Sequence, residues 1–77
     1  MSSQYESTDS EATNLFRFLL GVEVIREYEP DAEMAVNNGF IYVGNYHLSH
    51  SRMTDIEKRL MEQWGWVEGD ESWAFYV

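Results

Sequence analysis

The apolar residues of this chain change their spacing along its length. Leu15, Phe18, Leu19, Val22 and Ile25 recur at helical intervals, which predicts an amphipathic helix over residues 10–27. Upstream, Thr8 and Glu11 form a T-x-x-E capping box, which satisfies two orphan amides at a helix start. Pro30 cannot continue the helix, and it biases Glu29 away from the α region. Gly21 lies inside the run, at a cost of about 1 kcal/mol relative to Ala. The competing division ends the helix at Gly21 and starts a strand at Val22; Val22 and Val24 alternate, but Ile25 breaks the alternation. A second stripe, Phe16, Leu20, Val24 and Tyr28, runs in steps of four on another side of the helix. A surface helix of a small monomer needs one apolar face. Two stripes imply either a helix wrapped by the chain's own core or one face turned to a partner.

Beyond Pro30 the pattern shortens. The segment EPDAEMAVNNG reads as a loop that closes on the turn pair Asn38-Gly39. FIYVGNY is a strand with Phe40 and Tyr42 on one face and Ile41 and Val43 on the other. Residues 45–52 read as a polar connection. A second helix follows in MTDIEKRLMEQWG, opened by a Thr54–Glu57 capping box and ended by Gly65 at C′. Its expected buried stripe is Ile56, Leu60 and Trp64, flanked by Met53 and Met61. The remaining residues fit one hairpin, with strands Trp66–Glu68 and Ser72–Tyr76 around Gly69-Asp70, joined by a type II′ turn or by a longer four-residue loop with the same register. That register sets Trp66 against Trp73, Val67 against Ser72 and Glu68 against Glu71. The sum is an α+β domain of order α-β-α-β-β, a three-stranded sheet with two helices packed on one face. Residues 1–7 read as a disordered tail and residues 8–77 as a single domain.

Composition sharpens this outline. A chain of 77 residues buries only about 60% of the surface it exposes when unfolded, and small domains commonly add disulfides or metals. Cysteine is absent, so neither a disulfide nor a thiolate zinc site is available. Aromatic residues reach 16%, and each buried ring supplies a large apolar area. There is no signal-peptide pattern and no apolar run near the ~20 residues of a membrane span. A soluble cytoplasmic protein is the expectation.

Charge narrows the partners. Fourteen acids stand against five bases, a formal net charge of −9. DNA and anionic membranes repel such a chain, so direct nucleic-acid and membrane binding are not expected. A basic protein surface attracts it, and the field steers the encounter. The plain alternative is that the acids only keep a small aromatic protein in solution.

Catalytic chemistry finds little support. His47 and His50 stand three apart in a stretch read as loop, but a zinc site needs three or four ligands in matched geometry. Ser49, His50 and Ser51 are contiguous and resemble no nucleophile elbow. The glycines form no phosphate cradle, and a glycosidase carboxylate pair needs a cleft that a domain of this size seldom has. The expectation is no enzyme, no cofactor and no metal.

The acids are patterned. Glu27, Glu29, Asp31 and Glu33 alternate across REYEPDAEM, while Glu68, Asp70 and Glu71 form a second cluster and Asp9 and Glu11 a third. In extended backbone every second residue repeats at about 6.6 Å, from the ~3.3 Å rise per strand residue. That is close to the separation of successive phosphates on one nucleic-acid strand. Trp66, Trp73 and Tyr76 are candidate anchors where exposed, because Trp and Tyr dominate interface hot spots.

The ending DIEKRLMEQWGWVEGDESWAFYV, with IYVGNY before it, resembles the C-terminal half of small acidic proteins encoded by bacteriophages and mobile elements. In those a short helix runs into Gly-Trp, an acidic turn and a terminal aromatic strand. The resemblance implies a protein of the host cytoplasm that binds the basic surface of a host defence or nucleic-acid-processing enzyme and inhibits it. The expected function is thus a non-catalytic acidic binding module. The alternative is a homo-oligomer, possible as a dimer, that pairs through Phe16, Leu20, Val24 and Tyr28.

Overall fold

A computed structural model describes residues 13–76. Within them the elements are α1 (Asn14–Tyr28), β1 (Met34–Asn37), β2 (Phe40–Val43), α2 (Tyr46–His50), α3 (Asp55–Gln63), β3 (Trp66–Glu68) and β4 (Trp73–Tyr76). The class is α+β as expected, but the sheet has four strands rather than three, in the order β1-β2-β4-β3. Every neighbouring pair is antiparallel. Among the described residues there are three helices rather than the two expected.

The added strand is β1, in the segment expected to be loop. Asn38 and Gly39 both take positive φ, 53° and 82°, the conformation of a two-residue type I′ turn. That turn folds Met34–Asn37 back onto β2 with Asn37 opposite Phe40 and Met34 opposite Val43. Of those four residues only Val36 is a strong strand former. The turn and the neighbouring strand, not local propensity, make the segment a strand.

The added helix is α2, in the stretch expected to be a polar connection. Asn45 caps it, its side chain accepting a hydrogen bond from Leu48 N at 3.1 Å. Its inner residue is Ser49, wholly buried. The Ser49 hydroxyl accepts the Trp73 indole N–H at 2.8 Å and donates to the Asn45 carbonyl at 3.1 Å. His50 stacks on Tyr46 with ring centroids 4.7 Å apart, and Tyr46 lies 4.5 Å from Trp73.

The first helix begins at an N-cap on Thr13, which accepts from Phe16 N at 3.2 Å. The helix therefore starts about a turn later than the expected residue 10, and the Thr8–Glu11 box lies outside the described residues, as does the tail over residues 1–7. Both expected stripes are divided. Leu15, Leu19 and Phe16 are exposed, whereas Ile25 is fully buried, with Phe18, Val22, Val24 and Tyr28 packed around the core. The inward face runs through Gly21. An added Cβ at Gly21 would stand 1.9 Å from Trp66 Nε1, so the indole sits directly on the helix backbone. The same N–H donates to the Arg17 carbonyl at 3.2 Å. Side chains in a helix lean toward the preceding turn, so a side chain at Gly21 would cover that carbonyl.

The second long helix carries its capping box as expected. Glu57 N donates to Thr54 Oγ1 at 3.1 Å, and Thr54 N donates to Glu57 Oε1 at 3.0 Å. Gly65 follows with φ 94°. Its buried face is rotated from expectation. Met61 is fully buried and Met53 nearly so, while Ile56 is 66% exposed. On that edge of α3 the Tyr28 hydroxyl donates to Glu57 Oε1 at 2.5 Å, which ties α3 to α1.

The C-terminal hairpin has a four-residue loop, Gly69 to Ser72, closed by Gly69 N donating to Ser72 O at 2.7 Å. The register is displaced by two residues from the expected one: Trp66 faces Phe75, Val67 faces Ala74 and Glu68 faces Trp73. A two-residue displacement keeps every side chain on its face. The opposition of Glu68 to Glu71 does not occur. The core holds Ile25, Val43, Met53, Met61, Trp66, Trp73 and Phe75. No helix among the described residues is long and apolar enough to cross a membrane.

Two predictions follow from this packing. Gly21→Ala, which raises helix propensity by about 1 kcal/mol at an ordinary exposed site, should here destabilise by about 1–3 kcal/mol through overpacking, read as a lower urea midpoint. The second concerns pH. The Tyr28 hydrogen bond, followed by the Thr54 backbone bond, lowers the Glu57 pKa below its ordinary 4.5; the same bond to Glu57, followed by burial, raises Tyr28 above 10.0. Stability from Glu57 is present above pH 4.5 and is lost as pH falls through its depressed folded pKa. Stability from Tyr28 is present below pH 10.0 and is lost as pH rises through its raised one. The stability difference between the native protein and Tyr28→Phe should therefore be flat between those limits and shrink on both sides, as measured by unfolding at a series of pH values.

Candidate functional site

Strand alternation assigns the two faces of the sheet. The helix-covered face carries Ile41, Val43, Trp66, Trp73 and Phe75. The opposite face carries Ala35 and Asn37 from β1, with Glu33 just before it, Phe40 and Tyr42 from β2, Ala74 and Tyr76 from β4, and Val67 from β3. No described helix packs on it. Phe40 lies 5.3 Å from Tyr76 and 6.0 Å from Tyr42, ring centroid to centroid, so three aromatic rings form a cluster on an open sheet. Tyr76 is 66% exposed.

Two shallow grooves meet at Tyr42. One, of about 460 Å³, is walled by Glu29, Asp31 and Glu33 together with Tyr42 and Ser72. The other, of about 530 Å³, is walled by Asp70, Glu71, Asn37 and again Tyr42 and Ser72. Among the described residues no basic side chain lines either groove. The acids after α1 and the acids of the hairpin loop, separate in sequence, thus rim one aromatic surface.

The acids do different work. Glu29 Oε1 accepts Asn45 N at 2.8 Å and so joins the end of α1 to the start of α2. Asp31, Glu33, Asp70 and Glu71 are exposed. Glu27 is exposed on α1 and lines neither groove. Glu68 points to the helix side, 3.8 Å from His47 Nε2, away from the open face. The expected phosphate-like row over Glu27 to Glu33 does not form, because α1 runs through Tyr28 and Pro30-Asp31 is a turn.

The tryptophan anchors are unavailable: Trp66 and Trp73 are 1% and 3% exposed. Their role is core, and Tyr42, Phe40 and Tyr76 are the aromatics on the surface. Sequence reasoning set Phe40 and Tyr42 on a common face but could not say which face the helices cover. The oligomer stripe is also divided, since Val24 and Tyr28 pack against the core while Phe16 is exposed.

The histidines lie on α2 rather than in a loop. Burial, followed by the Lys58 charge, lowers the His50 pKa below 6.5. Burial, followed by the charges of Glu68 and Glu62, raises that of Tyr46. Among the described residues no group of three or more His, Cys, Asp or Glu is placed to hold a metal ion. The Ser49 hydroxyl is buried in structural hydrogen bonds. Comparison with protein-family models, with curated proteins and with solved structures returns no match.

The division among the acids is testable by unfolding. Glu29→Ala should cost about 1–2 kcal/mol, because it leaves the Asn45 amide without its charged acceptor. Asp31→Asn, Glu33→Gln, Asp70→Asn and Glu71→Gln should each stay within about 0.5 kcal/mol of the native protein.

Proposed function

We propose that the protein is a non-catalytic binding module that receives a basic segment of a protein partner on the open, acid-rimmed face of its sheet. One observation carries this role: carboxylates from two distant parts of the chain converge around Tyr42, with no base among the groove walls. Guanidinium and ammonium groups gain from both parts of such a surface. The acids attract them over a distance, and aromatic faces hold them by cation–π contact. Partners of this chemistry include the basic surfaces with which proteins hold nucleic acid, and inhibition of a host defence or nucleic-acid-processing protein is the concrete form of the role. The match is by charge and aromatic contact, since the acids do not repeat at phosphate spacing.

A homo-oligomer is the second reading. The exposure of Leu15, Phe16 and Leu19, at 66%, 43% and 50%, supports it; like net charges of −9 on each copy oppose it.

The binding role is tested by titrating an arginine- and lysine-rich peptide at about 50 mM and about 200 mM salt. The combined variant Asp31→Asn, Glu33→Gln, Asp70→Asn, Glu71→Gln should bind at least tenfold more weakly than the native protein. A control removes equal charge elsewhere, through Glu23→Gln, Glu27→Gln, Asp55→Asn and Glu62→Gln, and should lose much less. Equal losses in the two variants would reduce the effect to net charge and end the assignment of this face.

A further inference from the structure

Among the described residues the strand β1 is an edge of the sheet, paired with β2 alone. Antiparallel pairs alternate between hydrogen-bonded and non-bonded residues. Gly44 N donates to Glu33 O at 2.9 Å, which makes Glu33–Gly44 a bonded pair and, two residues on, Ala35–Tyr42. Met34 and Val36 therefore turn their backbone N–H and C=O groups outward. All four residues of β1 are exposed, and none is Pro or Lys, two of the residue types that commonly blunt an edge.

The two sides of this edge differ. On the helix side Met34 and Val36 are 60% and 65% exposed, and Met34 is one wall of a groove of about 390 Å³ formed with Leu15, Phe18, Ile41 and Phe75. The walls of that groove are almost wholly apolar. On the open side lie Ala35, Tyr42 and the carboxylates of Asp31 and Glu33. A strand laid against β1 would stand about 4.8 Å away and send alternate side chains to these two sides.

We propose that β1 accepts an extended segment of the partner as a fifth strand, and that this segment alternates apolar residues with Lys or Arg. The inference rests on the basic-partner role and specifies its geometry. Apolar side chains stand beside Met34 and Val36 at the apolar groove, and basic ones reach the acids around Tyr42. Main-chain bonds to Met34 and Val36 supply affinity, and the alternation supplies specificity. Charge complementarity selects this occupant over the others. A second copy brings another −9. Residues 1–12 of the chain carry Glu6, Asp9 and Glu11 and no Lys or Arg.

The test uses a short peptide of alternating valine and lysine, and compares it with two others. In one the amides of one edge are N-methylated; in the other the same residues are grouped as a valine block and a lysine block. Binding of the alternating peptide should protect the Met34 and Val36 amides from hydrogen exchange. N-methylation, block order and Val36→Pro should each weaken binding at least tenfold. Val36→Pro removes no bond of the native sheet, because its N–H points outward; should that variant fail to fold, the N-methylated peptide against the native protein decides alone. Binding unaffected by N-methylation, with Met34 and Val36 still unprotected, overturns the edge site and leaves the basic-partner role standing. Absence of binding by all three peptides at low salt overturns both. A dimer in sedimentation of the protein alone, with Met34 and Val36 already protected, assigns the edge to a second copy and overturns the proposed occupant.

Discussion

The seat of Trp66 on the backbone of α1 is the constraint on which the rest of the structure depends. The indole rests where a side chain at Gly21 would be, donates to the Arg17 carbonyl, stacks on Phe18, and meets Phe75 at a tilt, the three rings closing a mutual cluster. Burial of one such ring removes enough apolar area to contribute roughly 4–6 kcal/mol as an upper bound. In a chain with no disulfide this contact takes the part of a staple. It also fixes where α1 lies. The helix is drawn to the β3–β4 end of the sheet, and the helix side of β1 is left uncovered, with Met34 and Val36 in the open.

A second set of contacts closes the other end of the core. Trp73 donates to the buried Ser49 hydroxyl, and that hydroxyl in turn donates to a backbone carbonyl. Tyr28 links α1 to the cap of α3 through Glu57. Among the described residues no buried side-chain polar atom lacks a partner, which a small core requires because each orphan costs about 1–3 kcal/mol. The aromatics are thus divided by role. Trp66, Trp73 and Phe75 hold the layers together, while Phe40, Tyr42 and Tyr76 remain on the uncovered side.

The same asymmetry gives the acids their arrangement. The turn after α1 and the loop between β3 and β4 both open beside Tyr42, so residues about forty positions apart rim one surface. Repulsion among them is tolerated because they face water, where screening is strong. Glu29 is the exception, held by the Asn45 amide, and its carboxylate belongs to the fold as much as to the surface.

Several elements were legible in the sequence because their signals are local. The Thr54–Glu57 box, Gly65 at the end of α3, the termination before Pro30 and the two faces of FIYV each depend on residues within one turn or one strand. The Asn38-Gly39 pair marked a turn, but Met34–Asn37 lacks the residues that would mark a strand beside it, and only pairing with β2 makes it one. The helix at Tyr46–His50 depends on Trp73 to bury Ser49, which no local pattern shows. Gly21 looked like a flaw in a helix until Trp66, forty-five positions away, filled its place. By itself the sequence determined the charge, the α+β class, the Thr54–Glu57 cap and the Asn38-Gly39 turn, since these follow from neighbouring residues. Tertiary structure alone decided the hairpin register, the rotation of α3, the covered face of the sheet and the meeting of acids around Tyr42, because each is set by which distant side chains compete for the same buried space.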